Sequence, residues 1–141
     1  MPNPYKGIRG IKTKVEGHKK IGLPEDIYEY DSRLEARCAQ IFIKHGIRFK
    51  PHVRFDCFDK NIEKGIKKFT YTVDFLFELP QSLLGISPIV DAIEVKGRLK
   101  RRDLLRIEAL EFFHEKRTYI ATETLIDLWE RDGIQKKEEG V

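Results

Sequence analysis

Glu94 and Lys96 stand one residue apart in Ile93-Glu94-Val95-Lys96-Gly97, and Asp74 stands inside the apolar run Tyr71-Thr72-Val73-Asp74-Phe75. On a β-strand, residues i and i+2 share a face. Glu94 and Lys96 are therefore expected to point the same way, with Ile93 and Val95 turned toward a core. A lone carboxylate in the middle of an apolar strand is costly unless something pairs with it, so Asp74 also needs a partner. Two acids and a lysine converging from neighbouring strands suit one chemistry well. The carboxylates hold a hard divalent cation, and the lysine stands where a water is activated, as hydrolysis of a phosphodiester requires. The plain alternative is a solvated Glu94–Lys96 pair worth at most about 1 kcal/mol. It leaves Asp74 unexplained.

The elements that must carry these residues are readable in outline. Ser32-Arg33-Leu34-Glu35 fits a capping box, and Leu34, Cys38, Ile41, Phe42 and His45 follow at helical spacing. Gly46 is a natural stop, and His45 near the helix end suits the dipole as a cation. The box by itself gives Glu35 a role. Residues 51–58 alternate, with Val53, Phe55 and Cys57 on one face, and Asp59 to Gly65 reads as a hairpin turn. Residues 68–78 form the strongest strand, with Phe69, Tyr71, Val73, Phe75 and Phe77 on one side and Thr70, Thr72, Asp74 and Leu76 on the other. Leu79 to Pro88 reads as a loop, and residues 89–96 as the next strand. A helix is expected over 101–115 with Leu105, Ala109, Phe112 and Phe113 inward. A strand at Thr118 to Ala121, a helix at 124–131 and a frayed, charged tail from Asp132 follow. Residues 1–30 are rich in Gly, Pro and Lys without periodicity. They read as a basic arm with room for one short strand and no evident core role. The order implies an α/β fold, a central mixed sheet flanked by helices.

The chain of 141 residues suits a single domain, 40% of it hydrophobic and 35% charged. No apolar run approaches the roughly 18 residues that span a bilayer, and the polar, basic N-terminus does not read as a secretory signal. Cys38 and Cys57 are far apart and unpatterned, which suits reduced thiols in a cytoplasmic protein and is too few ligands for a zinc site. His18, His52 and His114 lack ligand-like spacing and are expected to be structural or exposed. Tyr28 and Tyr30 are expected to pack on the first helix rather than stack on bases.

The net charge of +4 says less than its distribution. Residues 1–20 hold Lys6, Arg9, Lys12, Lys14, Lys19 and Lys20 against Glu16 alone. Residues 96–106 hold Lys96, Arg98, Lys100, Arg101, Arg102 and Arg106 against Asp103 alone. Lys100, Arg101 and Arg102 fall at the start of a helix, where the macrodipole disfavours cations by roughly 0.3–1 kcal/mol each. Cationic side chains beside free helix amides make a phosphate site instead. With Arg98 and Arg106 beside them, they point to a polyanionic partner; charge alone equally fits a solvated surface.

In this order, a helix bearing Glu35, a strand bearing Asp74, Glu94-Val95-Lys96, then a basic helix and a strand, the chain resembles the PD-(D/E)XK, or restriction-endonuclease-like, nuclease superfamily. The resemblance covers most of residues 31–125. Lys96-Gly97 followed by a basic helix looks most like the phage-type Holliday-junction resolvases and is also similar to the transposon-end nucleases. Val73 stands where the superfamily's name puts a proline, a residue that contacts no metal. The resemblance implies Asp74 and Glu94 as metal ligands, the main-chain carbonyl of Val95 as a third and Glu35 as an auxiliary one. It implies that Lys96 orients or deprotonates the attacking water. It further implies a Mg²⁺-dependent endonuclease, with Mn²⁺ as a substitute, cutting branched or otherwise structured DNA in recombination or repair. No membrane partner is expected. Cutting two strands needs two active sites, hence a homodimer. Two alternatives remain: a nicking, repair or transposon-end nuclease of the same fold, and a non-catalytic nucleic-acid-binding subunit. The latter has no chemical reason to keep Asp74, Glu94 and Lys96 together.

Overall fold

A computed structural model describes residues 12–57, 69–86 and 89–135. In chain order the elements are β1 (Thr13–Val15), a 3₁₀ turn (His18–Ile21), β2 (Tyr28–Tyr30), α1 (Arg33–Lys44), β3 (Phe49–Cys57) and β4 (Phe69–Gln81). β5 (Val90–Val95), α2 (Arg101–His114), β6 (Thr118–Ala121) and α3 (Glu123–Asp132) follow. The central sheet has the order β3-β4-β5-β6. β3/β4 and β4/β5 are antiparallel, and β5/β6 is parallel. A parallel neighbour requires a crossover, which α2 supplies. The fold is therefore α/β, with a mixed four-stranded sheet and helices packed on it.

α1 begins where its cap dictates. Ser32 Oγ accepts from the Glu35 amide at 3.1 Å, and Gly46, at φ +68°, stands just beyond the helix in the left-handed conformation that favours glycine. Its apolar stripe buries Cys38, Ile41 and Phe42. Phe42 meets Phe75 and Phe77 edge-on at 5.2 and 5.1 Å. Ile93 and Val95 join this cluster with Trp129 of α3, whereas Ala92 joins a second cluster with Leu110 of α2. Adjacent strand residues point to opposite faces, so α1 and α3 cover one face and α2 the other.

Several expectations are corrected. Residues 12–30 are part of the core rather than a free arm. Val15, Ile21 and Tyr30 are buried in the α1 cluster, and β1 pairs with β2. Tyr28 and Tyr30 do pack against that cluster. β3 starts at Phe49, and β4 runs to Gln81, shortening the expected 79–88 loop. The tail does not fray at Asp132: Ile134 is buried and Gln135 bridges Leu83. On α2, Leu105 and Phe112 are not inward but 58% and 76% exposed, while Asp103 and Leu110 are buried. The expected turn at 59–65 lies outside the described residues.

One irregularity positions the site. Tyr71 and Val73 belong to the α2 cluster, but Phe75 and Phe77 belong to the α1 cluster. The covered side of the β3–β4 ribbon therefore changes at Asp74. Between the pairs Pro51–Phe75 and Val53–Val73, His52 lies opposite Asp74 at φ +53°.

Candidate metal centre

β4 and β5 bring the two acids together. Val95 donates its amide to Asp74 Oδ2 at 2.7 Å, and Asp74 donates its amide to Glu94 Oε2 at 3.3 Å. Each carboxylate is thus held by the other's strand. Both are buried, Asp74 8% and Glu94 5% exposed. The Tyr71 hydroxyl donates to Glu94. Glu35 of α1 faces the same pair closely enough that its charge acts on Asp74. Its carboxylate accepts the Asp31 amide, yet its Oε2 is buried with no hydrogen-bond partner.

Burial and mutual repulsion set the protonation of this group. Burial, then Glu94 and Glu35, push Asp74 up to about 8. Burial, then Asp31 and Glu94, push Glu35 up to about 7. Burial raises Glu94 as well, opposed by Lys96 and by the Asp74 amide. The Tyr71 phenol rises through burial and Glu94. Lys96 Nζ lies 3.5 Å from Glu94 Oε1 and 3.8 Å from Asp103 Oδ1. One ammonium thus stands against several crowded carboxylates. Such a group needs a further cation if all its members are to ionise, and the orphaned Glu35 oxygen is a free donor for one. Oxygen donors of this kind suit a hard divalent ion.

Asp74, Glu94, Lys96 and Glu35 therefore lie together. Val95 enters through its amide. Glu35 does more than cap its helix, since its carboxylate takes the Asp31 amide and keeps one buried oxygen without a partner. Arg98, Lys100, Arg101, Arg102 and Arg106 are all exposed; Arg98 and Lys100 precede α2 and the three others lie in its first two turns. Asp103 links the two groups: its Oδ2 accepts the Lys100 amide at 3.0 Å, capping α2, while Oδ1 faces Lys96. The cleft between α1 and α3, about 700 Å³, is lined by Arg37, Lys44 and Trp129 and includes none of these residues.

Three participants escaped sequence reasoning. Asp103 was readable as the only acid in a basic run. Tyr71 was not, because an odd separation puts it on the wrong side of a regular strand from Asp74. His52, expected to be structural or exposed, is exposed and lies beside Asp31 and Glu35; the register opposite Asp74 is the signal that finds it. The other histidines are structural: His18 is buried against Tyr30 Oη at 2.7 Å, and His114 Nε2 meets the Asp56 carbonyl at 2.6 Å.

The fold and the site define an α/β protein with a buried carboxylate cluster fronted by a lysine and a basic helix start. No protein-family model, curated protein or solved structure matches this chain.

Proposed function

We propose that the protein is a Mg²⁺-dependent endonuclease of the PD-(D/E)XK type, cutting branched or otherwise structured DNA as a homodimer in recombination or repair. The observation that carries this reading is the reciprocal Asp74–Glu94 contact across β4 and β5, with Lys96 beside it and the Glu35 carboxylate near enough for its charge to act on Asp74. Asp74, Glu94 and Glu35, with the main-chain carbonyl of Val95, would hold the ion. When bound, it supplies Lewis acidity and lowers the pKa of water. Lys96, kept by Glu94 and Asp103, presents its ammonium where a scissile phosphate and its attacking water meet. Arg98, Lys100, Arg101, Arg102 and Arg106 take backbone phosphates and set the duplex against that lysine. Asp103 joins these roles, because the same carboxylate caps the phosphate-facing helix and holds Lys96.

The test is cleavage of labelled duplex, single-stranded, flap and four-way-junction DNA with and without Mg²⁺, alongside light scattering. Mg²⁺-dependent cutting that favours the junction, by a dimer, is expected. Equal cutting of linear and branched DNA by a monomer moves the assignment to a nicking or repair nuclease. Binding without cutting moves it to a non-catalytic nucleic-acid-binding subunit.

A further inference from the structure

Asp31 precedes the α1 cap, Glu35 sits in the first helical turn, and His52 projects from β3. Their ligand atoms all lie within 4.8 Å of one another. Three ligand atoms sharing one ion at roughly 2.0–2.2 Å average no more than about 3.8 Å apart, so side-chain adjustments of about an ångström close the set. Asp31 and His52 are exposed and free to make them. Glu35 Oε2 is buried without a partner. A buried acceptor left unsatisfied is costly, and an ion bound by this carboxylate relieves that cost. The His52 ring lies 5.7 Å from that of buried Tyr30, which limits where the imidazole can swing.

We propose that Asp31, Glu35 and His52 form a second divalent-cation site, selective for a transition-metal ion such as Mn²⁺, Co²⁺ or Zn²⁺ and adjacent to the Asp74/Glu94 pair. The selectivity follows from the donors. An imidazole nitrogen with two carboxylates suits borderline ions, whereas the all-oxygen Asp74/Glu94 set suits Mg²⁺. Glu35 stands between the two sites, so an ion at one relieves the repulsion that its carboxylate exerts on the other. The inference rests on the geometry of these three residues and does not need the nuclease reading.

The test is direct metal binding to the metal-free full chain. Titration with Zn²⁺ should shift the His52 ring resonances in NMR spectra, and calorimetry should find a Co²⁺ binding step that excess Mg²⁺ does not displace. His52→Gly suits the positive φ and should weaken that step at least tenfold. Asp74→Asn should leave it in place. Unmoved His52 resonances at saturating Zn²⁺, or wild-type Co²⁺ affinity in His52→Gly, would overturn the proposal. Loss of the step in Asp74→Asn, with His52→Gly unaffected, would assign it to the Asp74/Glu94 pair and would also overturn the second site. Absence of DNA cleavage with the His52-dependent step intact would refute the nuclease reading alone.

Discussion

At the scale of single residues, Asp74 meets strong opposition to ionising. Its carboxyl is pushed from an ordinary 3.8 to about 8 by burial, Glu94 and Glu35. A carboxyl raised on folding binds more protons in the native state than in the unfolded one between those two values. Stability then falls as pH rises through that window. Metal-free protein should therefore be less stable to denaturant at pH 8.5 than at pH 5, with Asp74 contributing on the order of a few kcal/mol. Asp74→Asn should flatten that slope, and Mg²⁺ should restore wild-type stability at the upper end by binding the native state. Parallel pH profiles for wild type and Asp74→Asn would contradict the assigned burial of charge. This pair was legible in the sequence because strand parity alone decides which way Glu94 and Lys96 point. Tyr71 was hidden for the same reason. Parity assigns it to the opposite side from Asp74, and only the change of covered side at His52 brings its hydroxyl to Glu94.

At the scale of elements, the N-terminal segment departs most from expectation. Strands of three residues carry too little periodicity to read, and a buried histidine looks like a surface residue until its partner is known. His18 is buried, hydrogen-bonded through Nε2 to Tyr30 and through Nδ1 to the Asp26 carbonyl. Removing residues 1–20 strips Val15 and His18 from the core. The lost side-chain burial and the unsatisfied Tyr30 hydroxyl should together cost about 3 kcal/mol or more, read as a lowered urea midpoint. An unchanged midpoint would return the segment to the role of a free arm. Helix α2 shows the opposite limit of sequence reading. Its extent was plain, but Leu104, Leu105, Leu110, Phe112 and Phe113 lie all round the helix, so the buried stripe could not be chosen from spacing. The structure chooses it through Leu110 and through Asp103, an acid turned inward to meet Lys96. The exposed arginines at the start of α2 carry a separate expectation. Replacing Arg101 and Arg102 with Ala should weaken DNA binding about equally for all sequences and flatten its salt dependence by roughly one unit per lost phosphate contact. An unchanged slope in a salt titration would leave them as surface charge.

At the scale of the whole molecule, no helix among the described residues is long and apolar enough to cross a membrane. The basic start of α2 and the carboxylate cluster are joined through Lys96 and Asp103. The element order was readable because α1 and the strands β3 and β4 carry their own periods, while α2 shows in its extent alone. The change of covered side along the β3–β4 ribbon was not, because it arises from pairing between segments about 20 residues apart, Val53 with Val73 and Pro51 with Phe75. The central claim is that Asp74, Glu94 and Lys96 act as one hydrolytic unit. The most direct test is single-turnover cleavage of four-way-junction DNA in Mg²⁺ by wild type and by Asp74→Ala, Glu94→Ala and Lys96→Ala, each first shown to be folded by circular dichroism. Groups that act as a unit are not additive, so every single variant should lose about a thousandfold or more in rate, and combining them should cost little further. Wild-type rates in folded Glu94→Ala, from preparations free of contaminating nuclease, would contradict the account.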